Sequence, residues 1–259
     1  MCSVIVLRRP DHPWPLLLAA NRDEMADRPW LPPARHWPDR PEVIAGRDVL
    51  ANGTWLGIND WGVVAAVLNR VNTLGPAPGR RSRGELPLEA LDHADATTAA
   101  TALADIDPRA YRPFNLIIAD HRDGYWLCCR DDRADRRIEI HPLPEGLSMV
   151  TAFDLNDPAS PRTRRYLPLF EAAPYPDPDR GDWQAWERLL ADRRCEPGAG
   201  PGGAMTVVTP SGFGTVCASL IALPDPIAKR RKPIWLFAAG RPGEVPFKPV
   251  LPPPSGVIV

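Results

Sequence analysis

Apolar runs separated by turn-forming residues in the first 71 residues predict two successive β-hairpins. Ser3 to Leu7 is a β-branched run, Pro15 to Ala20 is a second apolar run, and residues 11–13 supply turn chemistry between them. After a Pro-rich loop, Gly53 to Asn59 and Gly62 to Val71 form the second pair, whose connecting turn ends in the glycine that such turns favour. The unbroken run VVAAVL in this pair is typical of a strand covered on both faces.

Helix formers and further apolar runs follow. Residues 83–106 predict two helices that separate around Asp92 to Asp95. A clear hairpin loop at residues 120–124 joins two predicted strands, Asn115 to Ala119 and Tyr125 to Cys129. The remaining predicted elements are helices at Pro161 to Ala173 and Asp182 to Asp192, with Asp182 as N-cap, and strands at Met205 to Thr209, Gly214 to Leu223 and Ile234 to Ala239. Strand blocks separated by helices predict an α+β fold with helices packed on sheets, treated as a single domain over residues 1–259.

Composition excludes several classes of protein. The chain is 44% apolar and contains nine Trp, which is enough for a substantial core. Its net charge of −1 lacks the excess of positive charge that is typical of proteins that bind nucleic acid or an anionic membrane. Arg80, Arg81 and Arg83 form a short basic cluster, interpreted as a solvated loop. The N-terminus lacks the pattern of a signal peptide, and no apolar stretch approaches the roughly 18 residues of a membrane helix. We therefore expect a cytoplasmic protein with no membrane span.

The cysteines and histidines give no sign of a metal site. The five cysteines show no paired CxxC spacing and no even-numbered disulfide framework, which favours a reduced, cytosolic chain. The five histidines are scattered, are interpreted as surface or loop residues, and form no haem attachment motif. No cofactor is predicted.

Cys2 is the first residue with candidate chemistry. Its small side chain permits removal of Met1, which would give Cys2 both a thiol and a free α-amine. That amine, with an ordinary pKa of roughly 7.7 to 8.0, can act as general base for the thiol. The alternative is a small buried hydrophobe at a strand start, and position alone favours that interpretation.

Polar residues at two strand ends complete the candidate set. Asn21-Arg22-Asp23-Glu24 directly follows an apolar strand, and hairpin pairing would bring Arg22 and Asp23 near Cys2. Asp23 would then orient the amine and Arg22 would favour the thiolate, unless the segment is simply a charged strand end facing water. Asn69 sits inside an apolar strand, where its amide suits a developing oxyanion, or else marks the point where the strand reaches solvent.

Taken together, these segments resemble a known family. MCSVIVL, AANRDE and GTWLGINDWGVVAAVLNRVN are similar to the NRDE family, also called the Transport and Golgi organization protein 2 family, whose namesake tetrapeptide is residues 21–24. That family resembles the N-terminal nucleophile hydrolases, in particular the choloylglycine hydrolase and penicillin V acylase group. The resemblance implies a four-layer α/β/β/α sandwich of two antiparallel sheets.

The resemblance also implies roles for individual residues. Cys2 would be the nucleophile, Asp23 would support the α-amine, Arg22 the thiolate, and Asn69 the oxyanion. Residues expected to contact substrate are Asn21, Glu24, Asp154 and Asn156.

Two positions depart from the hydrolase group's pattern. The group's second active-site Asn has no counterpart in Met149 to Asp154, and Val216 stands where the group has an Arg near its last strands.

Two functions are open at this point. One is a thiol hydrolase or acyltransferase acting through Cys2 on a linear amide or thioester. The other is a non-catalytic protein that holds haem, a lipid or an acyl-CoA in the same cleft, since the resembled family is implicated in haem mobilisation and lipid homeostasis. Either function implies a small-molecule substrate or ligand with an acyl or apolar part. The sequence does not indicate the oligomeric state.

Overall fold

The computed structural model of the chain describes residues 2–130, 136–227 and 231–250. Two antiparallel sheets lie face to face, and helices cover the outer face of each sheet. The layer order is helix, sheet, sheet, helix. This is the α+β sandwich that the family resemblance implies, so the predicted fold class is confirmed.

The first sheet contains the N-terminal hairpin. Its strands are ordered β10-β1-β2-β11-β12-β13, with bounds β1 Ser3–Arg8, β2 Leu16–Met25, β10 Gly146–Val150, β11 Phe213–Leu223, β12 Ile234–Ala238 and β13 Lys248–Pro249. The two longest strands, β2 and β11, pair along nearly their full length at the centre. The Asn21 to Glu24 tetrapeptide therefore lies near one end of a central strand, between β1 and β11.

The second sheet is a meander in which each strand pairs with the next along the chain. Its strands are β3 Trp30–Ala34, β4 Val43–Asp48, β5 Leu56–Asn59, β6 Val64–Asn69, β7 Phe114–Ala119, β8 Gly124–Cys129 and β9 Ile138–Pro142. Strand β6 is central and nearly all buried, because the inter-sheet core covers one face and helices cover the other. The prediction that VVAAVL is covered on both faces is confirmed.

The helices form two separate pairs. Helices α1, Glu85–Leu91, and α2, Ala96–Ala104, pack on the second sheet, whereas α3, Pro161–Ala172, and α4, Gln184–Leu190, pack on the first. The predicted break after α1 is confirmed, since the Asp95 carboxylate caps α2 by accepting from the Thr98 main-chain N–H at 2.8 Å. The N-cap position of α4 is Trp183 rather than Asp182, and the Trp183 side chain makes no capping hydrogen bond, whereas Asp182 accepts one from the Gln184 main-chain N–H.

Two sequence expectations differ from the structure. The strand predicted at Met205 to Thr209 is wrong, because within it only Val208 forms a bridge, to Gly214. Strands β3 and β4 were expected to be a Pro-rich loop. Pro32 and Pro33 are tolerated because β3 is an edge strand whose register is irregular at these prolines. In the described ranges, no helix has both the length and the apolar character needed to cross a membrane.

Candidate functional site

Strand pairing places Cys2 beside the tetrapeptide. Ser3 is opposite Asn21, so Cys2 comes opposite Arg22, which on its other side is opposite Cys217 of β11. Because side chains alternate along a strand, Cys2 and Cys217 face the inter-sheet core, where both pack. By the same alternation Arg22 points to that face, and Asn21 and Asp23 point to the helix-covered face.

A cleft of about 680 Å³ collects the four residues predicted to be catalytic. Cys2, Arg22 and Asp23 line it from the first sheet, and Asn69 lines it from the end of β6 in the second sheet. Glu24, predicted to contact substrate, lines it as well. In the part of the chain that the structure describes, the Asn69 side-chain amide has no hydrogen-bond partner, so it is available to a ligand in the cleft.

The thiol of Cys2 is poorly solvated. Cys2 is partly buried, and its Sγ lies 3.8 Å from the main-chain carbonyl oxygen of Asp23. Burial raises the pKa of the Cys2 thiol and outweighs the opposing effect of the Arg22 charge. The thiol is therefore protonated at neutral pH, and a reaction through it requires a general base.

Arg22 is fixed by an aromatic ring and a carboxylate. Its guanidinium carbon lies 4.3 Å from the centroid of the Trp55 ring, and its Nη2 donates to Asp48 Oδ2 at 3.1 Å. Arg28 binds both oxygens of the same carboxylate, at 2.6 and 3.1 Å. The Arg22 charge near Cys2 is thus held in one orientation and partly compensated by Asp48.

The carboxylate of Asp23 is buried and bound on both oxygens. Arg162 Nη2, from α3, donates to Oδ2 at 2.9 Å, and Thr215 Oγ1, from β11, donates to Oδ1 at 2.6 Å. The Asp23 and Arg162 side chains are 0% and 2% exposed. A register shift between Thr215 and Cys217 leaves Val216 in a bulge. At Val216, where the hydrolase group has an Arg, this chain therefore has a β-bulge. The arginine that binds Asp23 here is Arg162, which comes from helix α3.

Three residues predicted to contact substrate do not line the cleft. The Asn21 amide donates to the main-chain carbonyls of Leu190 and Met205, both at 3.0 Å, on the helix side of the sheet. Asn156 Oδ1 accepts from the Met149 main chain at 2.7 Å. Asp154 pairs with arginines, as described next. These side chains are engaged in holding loops and helices in place.

The loop after β10, where the hydrolase group has its second active-site Asn, is bound to the second sheet. Arg70 Nη2 and Arg130 Nη2 bind the Asp154 carboxylate at 2.6 and 2.7 Å. Asn115 of β7 donates to the carbonyls of Thr151 and Phe153, at 2.9 and 2.7 Å. This network ties the segment to the second sheet, and Asn115 is fully buried within it.

The basic cluster predicted to be a solvated loop is a loop in which Arg80 and Arg81 are exposed, and it also lines the cleft. Arg80, Arg81, Arg83 and Arg112 join Arg22 and Arg28 in the cleft wall, against the carboxylates of Glu24 and Asp48, whereas the Asp23 carboxylate is buried on the other face of the sheet. Arg83 donates to the Thr73 and Pro113 carbonyls, at 2.9 and 3.0 Å. Burial and the charge of Arg112 lower the pKa of Arg83 to about 10, so it remains a cation at neutral pH. The cleft therefore has an excess of positive charge.

Within the described residues, the cleft wall contains no cluster of three or more metal-ligating side chains, and Cys2 and Met25 are its residues of types that ligate haem iron. The wall, as far as the structure describes it, contains no histidine. Elsewhere, the potential ligand atoms of Cys128, Glu139 and His141 lie within 4.8 Å of one another. Arg130 donates to Glu139 Oε2 at 2.8 Å, so a guanidinium already occupies the carboxylate that a cation would need.

Four side chains around Cys2 were missed from sequence: Asp48, Trp55, Arg162 and Thr215. Their partners on β2 lie between 26 and 192 residues away, and no local pattern joins them. Of these four residues, only Arg162 has a sequence feature that could have marked it as unusual. It occupies the first turn of α3, which holds no acidic residue, although the positive end of a helix dipole favours acidic side chains there.

Comparison with known proteins gives one family by sequence. The profile described as Transport and Golgi organisation 2 matches residues 1–170. A Transport and Golgi organization protein 2 homolog from Bos taurus is 36% identical over 141 residues, which cover 51% of this chain and 50% of the bovine protein. The chain thus spans about half the length of the curated relatives it matches.

Comparison of structures extends over nearly the whole chain. An N-acylethanolamine-hydrolyzing acid amidase ortholog from Caenorhabditis elegans superposes with a TM-score of 0.55 at 13% identity, covering 90% of this chain and 98% of the amidase. A conjugated bile acid hydrolase variant from Clostridium perfringens superposes with a TM-score of 0.53 at 11% identity, covering 92% and 89%. At these identities the likeness establishes the N-terminal nucleophile hydrolase fold alone. By its sequence, the chain belongs to the Transport and Golgi organisation 2 family.

Proposed function

We propose that this protein is an N-terminal cysteine hydrolase or acyltransferase that acts on a linear amide or thioester through Cys2. The observation that carries the proposal is the convergence of Cys2, Arg22, Asp23 and Asn69 on one cleft, from two different sheets. The fold neighbours include an acid amidase and a bile acid hydrolase, which adds support by analogy of fold.

The mechanism follows from the state of the thiol. Removal of Met1 would give Cys2 a free α-amine, whose ordinary pKa of roughly 7.7 to 8.0 suits a general base at neutral pH. The amine accepts the thiol proton as Sγ attacks the acyl carbon, and the unpartnered amide of Asn69 donates to the resulting oxyanion. The ammonium then protonates the leaving amine or thiol. Water or another acceptor finally releases the acyl group from Sγ.

The cleft wall indicates the kind of substrate. Leu50, Leu74, Val67 and Phe213 supply apolar surface that would take an acyl chain. The six arginines disfavour a cationic leaving group, so we expect neutral or anionic leaving groups to be preferred.

The first test is mass spectrometry of the N-terminal peptide after brief exposure to a limiting alkylating reagent. The proposal expects Met1 to be absent and Cys2 to be labelled before the other cysteines. Cys195 is the internal reference, because it is exposed and lies outside the cleft. Retention of Met1, or labelling of Cys2 no faster than Cys195, would overturn the hydrolase.

The second test is turnover of a panel of chromogenic thioesters and anilides with acyl chains of graded length. A burst of released leaving group, equal to the protein concentration, is expected from an acyl-enzyme. Cys2→Ala should abolish the burst. Cys217→Ala, at the buried neighbour on β11, is the matched control and should retain it.

One observation favours a second candidate, a non-catalytic protein that binds haem or a lipid in the same cleft. Of the two amides that the hydrolase group uses, only Asn69 lines this cleft. Haem titration of the full chain tests one form of this candidate, because binding would shift the Soret band and an unchanged spectrum would count against it. Binding of a fluorescent fatty acyl probe without turnover would support the lipid form.

A further inference from the structure

Arg162 occupies an unfavourable place for a cation. It lies in the first turn of α3, just after the N-cap Ser160, where the helix dipole opposes positive charge, and its side chain is 2% exposed. Arg164, two residues later, is instead on the surface and pairs with Glu196. A buried cation at the positive end of a helix needs a compensating partner, and Asp23 is that partner.

The contact reaches the proposed site from outside the cleft. Arg162 is not part of the cleft wall, and it approaches Asp23 from the helix-covered face of the first sheet. Thr215 holds the other carboxylate oxygen, so the carboxylate is fixed on both sides. Asp23 in turn acts electrostatically on Cys2, raising the pKa of its thiol. A chain of contacts therefore joins helix α3 to the nucleophile through one carboxylate.

The charged and titratable groups facing Cys2 and Asp23 come from every neighbouring element. Arg22 and Glu24 are on β2 itself, and Asp48 at the end of β4 pairs with Arg22. Cys217 faces them from β11, Arg83 from the segment before α1, and Arg162 from α3. Among these cations, Arg162 binds the Asp23 carboxylate directly, at 2.9 Å.

We propose that Arg162 is a positioning residue that neutralises Asp23, so that the α-amine of Cys2 stays available as a base near neutral pH. This inference rests on the proposed function. Asp23 alone would stabilise the protonated α-ammonium and repel the thiolate, and both effects suppress the nucleophile. With Arg162 bound to its Oδ2 atom, Asp23 can orient the amine as a hydrogen-bond acceptor while contributing little net charge.

Two variants that remove charges of opposite sign, one at Arg162 and one at Asp23, test this role directly. The measurement is the rate of Cys2 alkylation as a function of pH, in the full chain from which Met1 has been removed. Arg162→Gln removes the positive charge that Arg162 places on Asp23, so the pH midpoint of labelling should rise by roughly one unit. Asp23→Asn removes the negative charge and keeps that of Arg162, so the midpoint should fall. The double variant Asp23→Asn with Arg162→Gln removes both charges of the pair, and its midpoint should return toward that of the wild type.

The outcomes separate this inference from the proposed function. Shifts of opposite sign support the positioning role, because a merely structural role would change the plateau rate without moving the midpoint in two directions. A midpoint that is unchanged, or moves the same way in both single variants, overturns it even where wild-type Cys2 is selectively labelled. Failure of wild-type Cys2 to react selectively overturns the proposed function instead. Where Arg162→Gln does not fold, comparison of Asp23→Asn with the double variant decides the matter, since only removal of the Arg162 charge separates them.

Discussion

The Cys2 thiol contacts the main chain of Asp23 and not its carboxylate: Cys2 Sγ lies 3.8 Å from the Asp23 carbonyl oxygen. By strand alternation the Asp23 carboxylate points to the helix-covered face of the first sheet, where Arg162 binds it. Arg22, one residue earlier, points to the same face as the thiol. The tetrapeptide therefore places the Arg22 cation beside the sulfur and the Asp23 carboxylate on the opposite face of the sheet. Ordinary strand geometry is enough for this, because adjacent residues of a strand point to opposite faces.

Asn69→Ala should lower the turnover number by roughly 10²- to 10³-fold with little change in KM, because the amide would be needed mainly for the oxyanion of the transition state. Stability should change little, since Asn69 is partly exposed and its side chain has no hydrogen-bond partner within the described ranges. Steady-state kinetics and thermal melting of the same preparation measure both. An unchanged turnover number would remove Asn69 from the mechanism.

Asn115→Ala is the matched control for that variant, because it removes the same side chain from the adjacent strand. Asn115 is fully buried and donates to two loop carbonyls, so its loss should destabilise the fold by about 1–3 kcal/mol. Equal losses of stability in the two variants would show that Asn69 is also a structural residue.

Asp23→Asn and Arg162→Met should each destabilise the protein strongly, by about 3–5 kcal/mol, because each leaves a buried charge without its partner. The double variant should lose less than the sum of the two. Urea denaturation of the wild type and the three variants gives the free energies of unfolding for a double-mutant cycle. Additive losses would mean that the buried pair contributes no coupling.

The N-terminal half of the site could be predicted from sequence because its geometry is local. The β1–β2 pairing brings Cys2 opposite Arg22 through a short connection, whose turn residues are recognisable in the sequence. The β5–β6 hairpin is equally local, with its turn ending at Gly62, so Asn69 could be placed on the second strand of that hairpin, which in the structure ends at Asn69.

The remaining contacts depend on packing between layers, which no single-sequence pattern encodes. Arg162 reaches Asp23 across 139 residues, and Thr215 reaches it across 192 residues and through a bulge. The contacts of Asp154 and Asn156 could not be predicted from sequence for the same reason. Residues near the expected second Asn bind the second sheet and their own loop, and proximity in sequence does not show which way a loop side chain points.

Arg22→Lys should slow alkylation of Cys2 by about tenfold at neutral pH, the effect of roughly one unit in thiol pKa. A lysine lacks the planar guanidinium that packs against Trp55 while binding Asp48, so its charge would be less well held near the sulfur. Arg28→Lys is the control, since Arg28 binds the same carboxylate without acting on Cys2. Equal slowing in both variants would trace the effect to Asp48 alone.

Asp154→Asn should destabilise the protein at pH 7, by an amount that disappears in acid. Burial alone would raise the pKa of Asp154, but hydrogen bonds from Arg130 and Arg70 prevail and lower it below its ordinary value. A carboxyl whose folded-state pKa is depressed contributes stability that is fully present above its unfolded pKa of about 3.9 and is lost as pH falls through the folded value. Melting temperatures of the wild type and variant should therefore differ at pH 7, begin to converge as the pH falls below about 4, and coincide only below the depressed folded-state pKa of Asp154. Asp27→Asn, at an exposed carboxyl, should follow the wild type throughout. A gap in melting temperature that persists unchanged in acid would show that Asp154 acts through packing rather than through its charge.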